Sequence, residues 1–246
     1  FQVEREANDV YLSDSALAKI GINRRYSPHL TASIALEGRY IRSEDEFGTA
    51  DYALISLPGD VSYDTRDNRF DPKSGVRTDV RLAPVTDVRT GDAFVVSEFD
   101  AASYWSADEE GRMIFAARLR GGSNLGGSLQ DTPATYRFLA GGGNSVRGYF
   151  DCDLGVGKSF AEFTAEYRFP LFSIVSGSVF FDAGTTFGTQ SDIPGNPGGV
   201  LGKSGEGFSP GIGLIVTTPV GPLRLEVASE DFSDEWRFNL GVGWKF

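Results

Sequence analysis

One imidazole and one thiol, His29 and Cys152, are all that this chain holds of the histidine base and the soft nucleophile of triad chemistry. A hydroxyl or thiol nucleophile needs a base beside it. His29 follows Pro28 in what reads as a short turn, and no Gly-x-Ser-x-Gly elbow is present. The chain is therefore expected to be no enzyme. Glu44, Asp45 and Glu46 could attract a divalent cation, but they lack the spacing of a calcium loop, and a solvated acidic loop is the simpler reading. Gly141-Gly142-Gly143 could cradle a phosphate, yet neither Lys-Ser/Thr nor a helix start follows. No metal and no cofactor are expected. A lone cysteine excludes an internal disulfide framework, and a net charge of −11 would repel nucleic acid.

The elements that must position any site come from 246 residues, enough for one large domain. With 31 Gly, 19 Phe and 9 Tyr, the composition favours strands and tight turns. No run reaches the roughly 18 apolar residues of a membrane helix. A β-barrel needs none, because its strands alternate. No signal peptide precedes Phe1, so Phe1 reads as a mature end or a boundary within a longer chain.

A period of two runs through the sequence. Phe238, Leu240, Val242, Trp244 and Phe246 alternate with Arg237, Asn239, Gly241, Gly243 and Lys245. Phe163, Ala165, Tyr167 and Phe169 alternate with Glu162, Thr164, Glu166 and Arg168, and Leu223, Leu225 and Val227 with Arg224, Glu226 and Ala228. The second faces also carry Arg77, Asp79, Arg81, Arg118 and Arg120, which would be costly in a dry core. They suit an aqueous lumen wall, with the apolar faces turned to lipid. A soluble β-sandwich is the competing reading, and these charges disfavour it.

Twelve strands are predicted, over 1–7, 15–25, 30–43, 51–64, 75–84, 92–105, 112–121, 159–169, 176–187, 208–218, 221–229 and 235–246. Connections near Ser27-Pro28, 108–111, 169–172 and 219–222 are short, whereas 122–158 and 188–207 are long. This predicts an all-β, closed antiparallel transmembrane barrel of about twelve strands, with its long loops facing outward.

The longest loop holds Val146-Arg147-Gly148-Tyr149, five strands before the end. With Glu166-Tyr167-Arg168-Phe169-Pro170, Phe180-Phe181-Asp182-Ala183-Gly184 and Pro219-Val220-Gly221-Pro222, it resembles the motif series of the BamA/TamA superfamily of outer-membrane assembly and translocation barrels. The turn Tyr63-Asp64-Thr65-Arg66-Asp67-Asn68, with Pro72 and Gly75, also resembles that family, so the likeness covers roughly 60–246. The resemblance implies a long loop folded into the lumen, with Arg147 paired to Asp182 and Glu166; the alternation independently puts both acids on the lumen face. Asn239, Gly241, Trp244 and Phe246 resemble the C-terminal signal read by the barrel assembly machinery.

Family barrels are usually larger and follow soluble periplasmic (POTRA) domains, which this chain lacks. We expect residues 1–246 to be a complete small barrel domain. The resemblance implies a bacterial outer membrane, with lipids and lipopolysaccharide, the assembly machinery and client proteins as partners. Assembly or translocation component, passive channel and membrane anchor remain open as functions.

Overall fold

A computed structural model describes residues 1–7, 10–45, 47–127, 132–188, 205–218 and 221–246. Glu46, Pro219, Val220 and most of the predicted 188–207 connection lie outside the described residues. The strands are β1 Gln2–Ala7, β2 Leu12–Arg25, β3 Leu30–Asp45, β4 Gly48–Ser56, β5 Gly59–Asp64, β6 Gly75–Asp87, β7 Ala93–Ser106 and β8 Ile114–Leu125. Next come β9 Phe138–Ala140, β10 Gly155–Gly157, β11 Ser159–Phe172, β12 Val175–Phe187, β13 Glu206–Thr218, β14 Gly221–Ser229 and β15 Trp236–Val242. Among the described residues the helical content is one 3-10 turn, Ala134–Tyr136, so no helix is long and apolar enough to cross a membrane.

One antiparallel sheet runs β1-β2-β3-β4-β6-β7-β8-β11-β12-β13-β14-β15, and β5 pairs with β3 and β6 beside β4. Apart from β5 and the loop strands β9 and β10, each strand thus lies next to the strand that follows it along the chain, the simplest route for alternating segments joined by turns. The predicted strand 51–64 is two pieces. Pro58 has no N–H to give the ladder, and pairing lapses at Leu57-Pro58. Both pieces keep the same register against β3 and β6, so the alternation survives the break. Among the described residues no ladder joins β1 to β15, the two ends of the path. The long connection after β8 carries a two-stranded ribbon, β9 with β10.

The sheet is inside-out by the standard of a soluble protein. Leu225 is 50% exposed, Ile212 61% and Leu240 80%, while Arg168, Asp182 and Glu226 are almost completely buried. The outer face also carries an aromatic row, Trp105, Phe115, Tyr167 and Phe169, stacked at centroid distances of 5.5, 4.5 and 5.6 Å. Strands such as β3, with 16 residues, exceed the roughly 9–11 that a tilted strand needs to span a bilayer.

Several predicted boundaries shift by a few residues, as at β2, which begins at Leu12, and β8, which runs to Leu125, and two shifts change a turn or a face. Pro170 to Phe172 stay in β11 across an irregularity in its pairing with β12, so that turn falls at Ser173-Ile174 instead of 169–172. The last strand stops at Val242 rather than 246. Gly243 has φ +87°, which reverses the zigzag, and Trp244 and Phe246 turn inward instead of continuing the outer face.

The turn between β5 and β6 is tightly built. Asp67 Oδ1 accepts the backbone N–H groups of Asn68, Lys73 and Ser74. Burial pushes its carboxyl up, but these amides outweigh burial and hold it below the usual range. Gly75 has φ +100°, and a Cβ there would lie 2.4 Å from the Thr65 carbonyl oxygen. Gly75→Ala should therefore destabilise the protein by about 1–3 kcal/mol. A urea midpoint unchanged from wild type would contradict this.

Candidate functional site

The interior site is built from the loop after β8 and the inner faces of β11 to β15. Ser145 N donates to Gly142 O at 3.0 Å and Tyr149 N to Val146 O at 3.1 Å, which closes the loop tip into two tight turns. Val146 and Tyr149 pack with Ala140 and Leu154 in a small apolar cluster. Burial first, then the neighbouring Asp231 carboxylate, raises the Tyr149 phenol above its ordinary range. This packing presents Arg147, fully buried, to the wall.

Two-residue alternation puts Thr164, Glu166 and Arg168 of β11, Phe180 and Asp182 of β12, and Arg224 and Glu226 of β14 on the inner face. Arg147 Nε donates to Asp182 Oδ2 at 2.7 Å and Nη2 to Oδ1 at 3.0 Å, a bidentate fork. Nη1 donates to Glu166 Oε2 at 3.0 Å and Glu226 Oε1 at 2.8 Å. The backbone N–H of Arg147 also reaches Asp182 Oδ2, at 3.1 Å, and its guanidinium lies 3.2 Å from the Phe180 ring centroid. Asp182 Oδ1 further accepts from Thr164 Oγ1 (2.9 Å) and Lys245 Nζ (3.1 Å). Arg168 Nε donates to Glu166 Oε1 at 2.6 Å, and Arg224 Nη1 to Glu226 Oε1 at 3.1 Å. A buried charge with one partner would be unfavourable here; a network that fills most lone pairs is what makes the cluster tenable.

The structure therefore brings Arg147, Asp182 and Glu166 together. Gly148 sits against the wall, where a Cβ would lie 2.4 Å from Ser229 O. Asn239 Nδ2 donates to Arg147 O at 3.0 Å, and Gly241 leaves room for the Arg224 guanidinium. Trp244 stacks on Arg168, with Cζ 4.0 Å from the ring centroid, and Phe246 lies 6.0 Å from the Tyr104 ring. The alternation had given both aromatics to the outer face.

Glu226 and Lys245 belong to the cluster but were not singled out from sequence. Both stand on the polar parity of their segments, and that was the available signal. Asp45 was read as part of a solvated acidic loop. It is buried instead, 2.7 Å from Nη1 of Arg137, a second buried loop arginine. The loop is thus fastened to β3 as well as to β11, β12 and β14. His29 Nδ1 lies 2.9 Å from Asp64 O in the turn region. Among the described residues no group of three or more His, Cys, Asp or Glu is placed to hold a metal.

Comparison with known proteins gives the following. The family profile described as the Omp85 superfamily domain matches residues 3–246. Outer envelope protein 80, chloroplastic, of Arabidopsis thaliana is 44% identical over 106 residues, 43% of this chain and 14% of that protein. Protein TOC75-4, chloroplastic, of Arabidopsis thaliana is 39% identical over 121 residues, 49% of this chain and 28% of that protein. Among solved structures, BamA from Haemophilus ducreyi lacking POTRA domains 1-3 superposes with a TM-score of 0.76 at 16% identity, covering 93% of this chain and 53% of that one. CdiB from Acinetobacter baumannii gives 0.62 at 14% identity, covering 95% and 43%. The chain spans less than a third of these two chloroplast relatives and about half of the BamA chain.

Proposed function

The chain belongs to the Omp85 superfamily, and on that premise we propose that residues 1–246 form one closed β-barrel domain that inserts or translocates proteins at an outer membrane. The observation that carries this is the pairing of an apolar exterior with a buried Arg147 cluster. The sheet can shelter such a cluster only by wrapping around it, which supports closure. The bacterial outer membrane inferred from motifs widens to outer membranes of the bacterial type, chloroplast outer envelope included, because the curated relatives named above are chloroplast proteins. Membrane lipids surround the barrel, with lipopolysaccharide among them only in a bacterium. The assembly machinery reads its last strand, and client proteins are its substrates. No covalent step is involved.

Closure brings β1 beside β15. β1 is short, exposed and charged at Glu4, Arg5 and Glu6, so the seam is weak and can part for a client strand. In a Cys152→Ser background, Val3→Cys with Leu240→Cys should cross-link through a short bifunctional reagent and stop insertion of an unfolded barrel client into liposomes. Full insertion by a completely cross-linked protein would overturn the proposal.

A passive channel is the second reading. It is favoured by a cavity of about 260 Å3 along β5 to β8 and the start of β11, with Asp60, Arg81, Glu98, Asp100 and Arg120 in its lining. Steady single-channel conductance without any client insertion would select it.

A further inference from the structure

The buried cluster does not balance. Arg147, Arg168, Arg224 and Lys245 are tied by ion pairs to Glu166, Asp182 and Glu226, four cations to three carboxylates. All seven side chains are at least nine-tenths buried. Two neighbouring cations bring their own side-chain partners: Arg118 is matched by Asp100, and Arg120 by Glu162.

The excess can be placed. Arg147 uses Nε and both Nη atoms, Arg224 spends Nη1 on Glu226 and Nε on the Gly243 carbonyl, and Lys245 is shared between Asp182 and the Ser145 carbonyl. Arg168 uses only Nε. Among the described residues its Nη1 and Nη2 have no hydrogen-bond partner, although the side chain is only 2% exposed. Trp244 and Phe246 cover the guanidinium, at 4.0 and 5.8 Å from Cζ to the ring centroids. The Trp244 indole N–H, on the ring that covers this guanidinium, likewise donates to nothing in the described structure. Every orphan in this corner can donate, and the principal one carries a charge that it cannot shed. Two partnerless Nη groups on a buried guanidinium are costly, so the corner favours a negative ligand over a neutral one.

We propose that the Arg168 Nη edge, roofed by Trp244 and Phe246, binds one small monovalent anion of the chloride type. Arg168 pairs in register with Ile114 and Ser178, next to the turns that join β7 to β8 and β11 to β12. The anion therefore enters from the short-turn end of the sheet, opposite the loop tip. It completes the neutralisation of the cluster that holds Arg147, so loop seating becomes sensitive to anion supply. This needs only the fold and the charges, and it stands whether or not the protein inserts clients.

Crystals of the detergent-solubilised protein grown with bromide replacing chloride should show an anomalous peak in contact with the Arg168 Nη atoms. Lys245→Gln leaves three cations facing three carboxylates and should lower the occupancy of that peak at least twofold. In solution, the excess chloride-35 line width produced by the protein should fall at least threefold in Arg168→Gln and stay unchanged in Arg112→Gln, an exposed arginine. Absence of the bromide peak, or a line width that Arg168→Gln leaves as in wild type, would overturn the site. If Arg168→Gln does not fold, the bromide peak and its response to Lys245→Gln decide.

Discussion

Arg147→Ala should abolish the compact, heat-modifiable band of the folded protein, or lower its stability by about 3–5 kcal/mol where folding survives. Removing the guanidinium takes from Asp182, Glu166 and Glu226 the one partner that they share, in an interior where each is almost fully buried, and leaves each with a single cation. Lys245 and the other two arginines can repair only part of that loss, because the bidentate fork on Asp182 is Arg147's alone. Arg147→Lys should recover part of the stability but not all, since an ammonium cannot span Asp182, Glu166 and Glu226 together. Arg137 is no neutral comparator, because it is itself buried against Asp45. The exposed Arg112 is the appropriate one, and Arg112→Ala should leave the band intact. Equal electrophoretic behaviour of Arg147→Ala and Arg112→Ala would refute the lock.

Gly148→Val should have the next largest effect, lowering stability by about 2–3 kcal/mol and exposing the loop to added protease. A Cβ at 148 would meet Ser229 O at 2.4 Å and Ser209 Oγ at 2.6 Å. The Ser229 oxygen is backbone in a paired strand and cannot swing away, so the tip must lift and draw Arg147 off Asp182. Gly38→Ala is a fair control, because a Cβ there would meet nothing within 4 Å. If both variants melt with wild type and resist protease equally, the tight seating of the tip is wrong.

The strand pattern was legible because lipid on one side and charge on the other impose a strict two-residue period. Asp182 and Glu166 could be chosen for that reason, and the loop motif then supplied their partner. Glu226 was placed on the polar face but not singled out, and Arg224, two residues away on that face, is a local counter-charge for it. Only the folded loop shows that Glu226 also meets Arg147. Lys245 had the right parity, but parity predicted the wrong side for Trp244 and Phe246. Alternation carries no information about φ, and the single left-handed residue Gly243 turns the tail inward. The β9–β10 ribbon was invisible for another reason. Phe138-Leu139-Ala140 and Gly155-Val156-Gly157 are too short to show a period, and long-range packing within the loop makes them pair. Asp45 looked solvated because its acidic neighbours do, while its partner lies far along the chain, at Arg137.

The most direct test of the central claim is spin-label accessibility along β13 and β14 of the protein reconstituted in lipid bilayers. Labels at Ile212, Leu214 and Leu225 should be reached by oxygen and shielded from a water-soluble nickel chelate. Labels at Gly213 and Ala228 should be shielded from oxygen, giving a clean period of two. Equal access of the nickel chelate to both sets would mean that the apolar face does not meet acyl chains, and the account of a wrapped, charge-filled interior would be contradicted.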